Sequence, residues 1–273
     1  MAGQPDLRFC YFVPMTTQGQ ARPARVTLFA TCLGDQFYPE VVQSVANVLE
    51  RQGVAVEVPG EQTCCGQPAF NSGFRKDARK VAQRFLEVFA GDHPIVVPSG
   101  SCGAMVRNFY PELFHGDPEL EGRAKQVGDR LFEFSEFLVD RLGAVDLDGV
   151  LNGSAAYHQC CHLLRELKVD RQPKALLSSI KGLEMRPLEK AEVCCGFGGT
   201  FAIKMSEIST AMMNEKLDNV TASGAEMLVA SDAGCLMHLE GGMRKRGMKV
   251  RALHLAEVLD RATAGRKAGA GGS

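Results

Sequence analysis

The sequence predicts two consecutive α/β units, each built on a parallel sheet and related to the other by a pseudo-twofold axis. Three observations predict it. Cys32 is followed by 31 residues and then Cys64-Cys65-Gly66, with Cys102 another 35 residues on; Cys161 is followed by 32 and then Cys194-Cys195-Gly196, with Cys235 another 38 on. In a chain of ten cysteines this recurrence marks an internal duplication. Short apolar runs alternate with segments of helical period in both copies, the pattern of parallel strands joined by right-handed crossovers. Each repeated cysteine also follows an expected strand, and in such sheets ligands collect beyond the carboxyl ends of the strands.

The elements follow in order. Residues 26–30 (VTLFA) form a short buried strand that ends beside Cys32. Val41, Val42, Val45, Val48 and Leu49 share one face of a helix that Gly53 ends. Residues 54–58 are the second strand, and the Cys-Cys-Gly turn leads into a helix whose apolar positions are Phe74, Ala78, Val81, Phe85, Val88 and Phe89. A third strand, 95–97, runs into Ser99-Gly100-Ser101-Cys102. The second copy repeats the order with a strand at 155–159, a helix around 175–180, a strand at 183–185, a long helix at 203–220 and a strand at 227–230 before Cys235. Segments 131–142 and 253–261, which share a Val/Leu-Asp-Arg pattern, read as closing helices. The units are therefore 25–143 and 155–261, joined by a linker at 144–154, with an N-terminal extension at 1–24 and a flexible tail at 262–273.

Composition narrows the classes. With 45% hydrophobic and 23% charged residues the chain builds a core, which excludes disorder. Lys plus Arg number 31 and Asp plus Glu 32, so there is no net positive charge to draw nucleic acid. No apolar run reaches membrane-spanning length, and Pro5, Asp6, Pro14, Gln18 and Arg22 interrupt the start where a signal peptide needs a continuous apolar stretch. The expectation is a cytoplasmic protein without a membrane span. Cysteines in a reducing compartment serve metal or redox chemistry more readily than disulfides; Cys10, alone near the N-terminus, reads as a simple core thiol, whereas the repeated spacing of most of the others does not.

Structural zinc sites usually draw on short Cys-x-x-Cys pairs, and neither copy has one. Adjacent cysteines in extended chain point to opposite sides, which suits a multi-iron cluster with several vertices. Gly66 and Gly196 then let the backbone adopt positive φ and bring amides toward sulfur. A zinc or plain thiol site is the alternative.

A single Cys, about thirty residues, Cys-Cys-Gly, about thirty-five residues and a further Cys resembles the cysteine-rich CCG domain. That family occurs in iron-sulfur subunits of heterodisulfide reductase, glycolate oxidase and anaerobic glycerol-3-phosphate dehydrogenase, and in lactate-utilisation proteins. The strings TCLGDQFYP at Thr31, CCGQPAFNSG at Cys64, PSGSC at Pro98, CHLLREL at Cys161, CCGFGGTF at Cys194 and SDAGC at Ser231 are similar to the lactate-utilisation branch, and the resemblance spans 25–261. It implies a Rossmann-like fold for each copy and one iron-sulfur cluster per half, of the 4Fe-4S type, cubane or non-cubane. It implies Cys32, Cys64, Cys65 and Cys102 as ligands of one, and Cys161, Cys194, Cys195 and Cys235 as ligands of the other.

The family pattern ends in Cys-x-x-Cys, and here Ser99 and Asp232 stand at the first of those positions. Each either supplies an oxygen ligand or caps the following helix, the commoner use of Ser and Asp. Cys160 is a substitute fifth ligand or a buried thiol on the other face of its strand. His238, His158 and His162 are candidate ligands or satisfied structural histidines, and Arg165 either offsets cluster charge or lies solvated on a helix face. Met205, Met212 and Met213 read as core filling.

No ferredoxin-type cysteine run occurs, and Gly196, Gly198 and Gly199 make no dinucleotide fingerprint. The simplest role is an electron carrier inside a larger oxidoreductase. The resemblance implies oxidation of L-lactate to pyruvate with two partner subunits, one of them another iron-sulfur protein. The competing classes are a cluster-based thiol/disulfide reductase subunit of the heterodisulfide type and a non-redox zinc-binding module.

Overall fold

The computed structural model describes residues 22–265; Cys10, with nearly all of the N-terminal extension and most of the tail, lies outside them. The first half runs β1 (Arg25–Leu28), α1 (Cys32–Phe37), α2 (Pro39–Arg51), β2 (Ala55–Glu57), α3 (Gln67–Asn71), α4 (Arg75–Val88), β3 (Ile95–Val97), α5 (Gly100–Ala104), a π-helical turn (Met105–Phe109), α6 (Tyr110–Leu113), α7 (Pro118–Asp129), β4 (Leu131–Glu133), α8 (Phe134–Glu136) and a second π-helical turn (Phe137–Arg141). The second half runs β5 (Val150–Tyr157), α9 (Cys161–Arg165), α10 (Arg171–Ser178), β6 (Lys181–Met185), α11 (Thr200–Lys204), α12 (Ser206–Ser223), β7 (Met227–Ala230), α13 (Ala233–Lys245), β8 (Arg251–His254) and α14 (Leu255–Thr263).

Each half carries a four-stranded sheet, ordered β2-β1-β3-β4 and β6-β5-β7-β8, and every pairing is parallel. The chain leaves β1 toward β2 on one side and returns to β3 on the other. The carboxyl ends of β1 and β3, and of β5 and β7, are thus topological switch points, where open α/β sheets bind their ligands.

The sequence pattern implies three strands per half, with closing helices from 131 and 253; the first residues of those segments are instead the fourth strands, β4 and β8. β4 and β8 are short, and each runs into its helix without a loop, because the last strand residue is itself the helix cap. Glu133 accepts from the amides of Ser135 and Glu136, and His254 from that of Ala256. An apolar run that changes from strand to helix without a turn leaves no break in periodicity. Two smaller boundaries also move. β5 starts at Val150, inside the stretch read as linker, and α14 continues through buried Ala262 and Thr263, read as tail. The long helix expected at 203–220 is two helices, broken at Met205, which is 52% exposed and fills no core.

The halves share a core. Val45, Val48 and Leu49 of α2, Phe134 of α8, Leu176 and Leu177 of α10, and Val258 and Leu259 of α14 form one buried cluster between the two sheets. Outer helices cover the far faces: Phe85 and Leu86 of α4 in one half, Leu217 and Val220 of α12 in the other. The contacts are reciprocal. Helix α2 packs on α14 as α10 packs on α8, and α1 meets α13 as α9 meets α5. Residue i meeting j while j meets i is the signature of a twofold relation. The shared Asp-Arg pattern belongs to it: Asp260 accepts from Asn47 and Arg51 of α2, and Asp140 accepts from Arg171 and Gln172 of α10.

Candidate metal centre

Cys32 opens α1 directly after β1, Cys64 and Cys65 form the turn between β2 and α3, and Cys102 lies in the first turn of α5 after β3. Cys161, Cys194, Cys195 and Cys235 hold the corresponding places in the second half. Six strand ends, three from each half, thus deliver thiols from distant sequence to one region.

In the first set the sulfurs of Cys32 and Cys64 are 3.6 Å apart and those of Cys65 and Cys102 are 3.4 Å apart. In the second, Cys161 and Cys194 are separated by 4.0 Å and Cys195 and Cys235 by 3.3 Å. The adjacent cysteines of each Cys-Cys-Gly therefore face different partners. One pair in each set is half-buried and the other buried. The Gly66 amide points at Cys64 Sγ and the Gly196 amide at Cys194 Sγ, each at 3.4 Å. Both glycines have positive φ, +83° and +92°, which the turn requires in order to aim those amides.

The proton distribution follows. A thiol donated by Cys32, a second contact from Cys65 and the Gly66 amide hold the Cys64 thiol down at about 3. Cys161, Cys195 and the Gly196 amide hold Cys194 at about 2. Hydrogen bonding to Cys102 and burial push Cys65 up, and Cys160, Cys195 and burial push Cys235 up. Each set thus keeps one thiolate ready beside a buried thiol held protonated, Cys65 in the first and Cys235 in the second.

Both sets line one cavity of about 250 Å³. Thr31, Gln67, Ser101, His162, Phe197 and Cys160 share its wall. Cys160 is buried, and it faces this cavity beside Cys235 instead of lying apart on the opposite strand face. Ser99 and Asp232 are helix caps: Ser99 Oγ accepts from the Cys102 amide, and Asp232 accepts from that of Gly234. His238 Nε2 lies 3.3 Å from Ser209 Oγ, and that hydroxyl donates to the Gly196 carbonyl, so this histidine braces the turn. Arg165 donates to the Glu192 carbonyl in the loop before Cys194. His162 Nδ1 approaches Cys161 Sγ at 3.7 Å. His158 is buried, and one ring nitrogen lies within 4.8 Å of the sulfurs of Cys195 and Cys235; burial pushes its pKa down to about 4.

Sequence reasoning did not single out Lys216, Glu133 or His254. Lys216 is buried, and its ammonium donates to the Lys190 and Ala191 carbonyls, fixing the loop that leads to Cys194. A Lys inside α12 carries no local mark of that role. His158, already a candidate from the sequence, stands where the other copy has Phe29, at the same distance before its cysteine.

Clustered thiols with aimed backbone amides suit a soft metal or an iron-sulfur cluster. The donors fit such a group without rearrangement of the fold, since every sulfur already lines or borders the same space.

Comparison with known proteins agrees. The family model for the cysteine-rich domain CCG matches residues 26–107 and 155–240. Lactate utilization protein A of Geobacillus kaustophilus (strain HTA426) is 45% identical over 236 residues, 86% of this chain and 98% of that protein. Lactate utilization protein A 2 of Bacillus cereus (strain 03BB102) is 44% identical over 86% of this chain and 97% of its own length. Among solved structures, a hypothetical protein from Helicobacter pylori shares the fold with TM-score 0.65 at 14% identity; the match covers 90% of this chain and half the length of that one.

Proposed function

Because the chain belongs to the cysteine-rich CCG domain family, we propose that it is the iron-sulfur electron-transfer component of lactate utilisation. It carries electrons removed when L-lactate becomes pyruvate, and works with two partner subunits, one of them another iron-sulfur protein. The observation that carries this reading is the convergence of both cysteine sets on one cavity. Iron-sulfur clusters in those two sets would accept and release single electrons at a short separation.

This chain's residues prepare that chemistry. Cys64 and Cys194 enter as thiolates, and Cys32, Cys65, Cys161, Cys195 and Cys235, held protonated, release protons on ligation, so loading is favoured as pH rises. Because Cys64 and Cys65 aim at Cys32 and Cys102 respectively, they suit separate iron vertices better than one zinc ion. The Gly66 and Gly196 amides stabilise negative charge on sulfur. Buried Cys65, Cys102, Cys195 and Cys235 keep water from the inner side, while half-buried Cys32, Cys64, Cys161 and Cys194 leave an edge open to an electron-transfer partner.

The test is reconstitution. The isolated chain, loaded anaerobically, is expected not to oxidise L-lactate with an artificial acceptor, and its clusters are expected to become reduced by lactate once the partner subunits are added. Lactate turnover by the isolated chain, or clusters that stay oxidised in the working complex, contradicts the reading.

A further inference from the structure

His158 follows β5 directly, three residues before Cys161, in the place Phe29 holds before Cys32. The two environments differ. Phe29 packs edge-on against Phe85 and Phe89. His158 has no exposed surface, and neither ring nitrogen has a hydrogen-bond partner. Native proteins rarely leave a buried imidazole so, unless a partner arrives with a ligand. One ring nitrogen and the sulfurs of Cys195 and Cys235 all lie within 4.8 Å of one another.

Two further facts set the role. The Ala191 carbonyl acts on the ring, yet it already accepts from the Gln159 amide at 3.2 Å and the Lys216 ammonium at 3.3 Å, which fills its two lone pairs. The imidazole N–H is therefore left for sulfur. Cys195 and Cys235 line the cavity and His158 does not, so the ring stands behind these sulfurs, outside the space they border.

We propose that His158 is a positioning residue of the second site: its imidazole donates N–H to a metal-bound thiolate of the Cys195–Cys235 pair and raises the reduction potential there. The inference rests on the iron-sulfur reading. A hydrogen bond to ligand sulfur stabilises the more electron-rich reduced state, and Phe29 can make no such bond. Two sites matched in their cysteines are thereby made unequal in electron affinity.

Redox titration of the anaerobically loaded full chain, followed by electron paramagnetic resonance, tests this. His158→Phe, which installs the first half's own residue, is expected to lower one cluster's reduction equilibrium about tenfold, equivalent to about 59 mV for one electron, and to leave the other cluster unmoved. His158→Gln, which retains an N–H donor, is expected to recover most of that loss. Pulsed resonance on protein with nitrogen-15 histidine and an otherwise native His158, in a His162→Ala background, is expected to show a weak coupling transmitted through sulfur; this needs no His158 variant. Unmoved potentials in His158→Phe with full iron and sulfide content overturn the proposal, as does the strong coupling of a directly bound nitrogen. Protein without iron and sulfide overturns the cluster reading and this inference together.

Discussion

Ser99 and Asp232, at equivalent positions before Cys102 and Cys235, are bonded to each other: Ser99 Oγ donates to Asp232 Oδ2 at 2.9 Å within an antiparallel bridge. Asp232 Oδ2 also accepts from the Ser101 amide at 3.0 Å, and Oδ1 accepts from its own half's Gly234 amide at 3.0 Å. One carboxylate thus holds the helix starts of both halves. The positions where the family pattern has its extra cysteines are, in this chain, the join between the copies.

Asp232→Ala leaves the Ser101 and Gly234 amides without an acceptor in a buried setting. The expected loss is about 1–3 kcal/mol in urea denaturation, and a double-mutant cycle with Ser99→Ala should show coupling above about 0.5 kcal/mol. Because the carboxylate touches both halves, Asp232→Asn should raise the potentials of both clusters. A shift confined to one cluster contradicts the shared placement.

The two Cys-Cys-Gly glycines should differ in tolerance. A Cβ at Gly66 meets nothing closer than 3.5 Å, whereas at Gly196 it would lie 2.7 Å from the Ser209 carbonyl oxygen. Both substitutions carry the left-handed penalty of about 1–2 kcal/mol. Gly196→Ala adds a backbone collision. Thermal melting should show the larger loss for Gly196→Ala, together with the larger drop in metal retained; equal losses would mean that helix α12 yields at Ser209.

Glu133 is buried with Oε1 unpartnered, and desolvation raises its pKa to about 7 against the bonds from Ser135 and Glu136 to its other oxygen. A carboxyl with a folded pKa above its unfolded value binds more protons when folded, so its contribution to stability falls as pH rises from 4.5 to 7. His254, depressed to about 4 by burial, works the other way, losing stability as pH falls from 6.5 toward 4. The difference between Glu133→Gln and the native chain isolates the first. It should grow in the variant's favour through that window with a slope approaching about 1.4 kcal/mol per pH unit. A flat difference would mean that Glu133 stays ionised when buried.

Neither half should fold alone. Helices α2, α8, α10 and α14 bury their apolar faces in the shared core, so residues 25–143 expressed separately would expose Val45, Leu49 and Phe134. Circular dichroism in urea should show one cooperative transition for the full chain and none for that fragment. A cooperative fragment contradicts the shared core.

The parts of this architecture that repeat were legible in the sequence. Cysteine spacing located all six strand ends that carry thiols, and the runs at 95–97 and 227–230 match β3 and β7 residue for residue. What stayed hidden depends on contacts between the copies. Nothing local to Ser99 or Asp232 shows that they meet, and the pattern at Asp140 and Asp260 could be seen but its partners on α10 and α2 could not. β4 and β8 were masked because Glu133 and His254 end a strand and cap a helix at once. His158 carried a weak signal on its own and a clear one only against Phe29.

The most direct test of the central claim is quantification of iron and acid-labile sulfide in the anaerobically purified native chain, Cys65→Ser and Cys195→Ser. Two cysteine sets that each hold a cluster predict iron and sulfide in matching amounts in the native chain, and loss of about half from each variant while the other half's cluster signal persists. Zinc without sulfide in the native chain, or a variant that retains the full content, would contradict it.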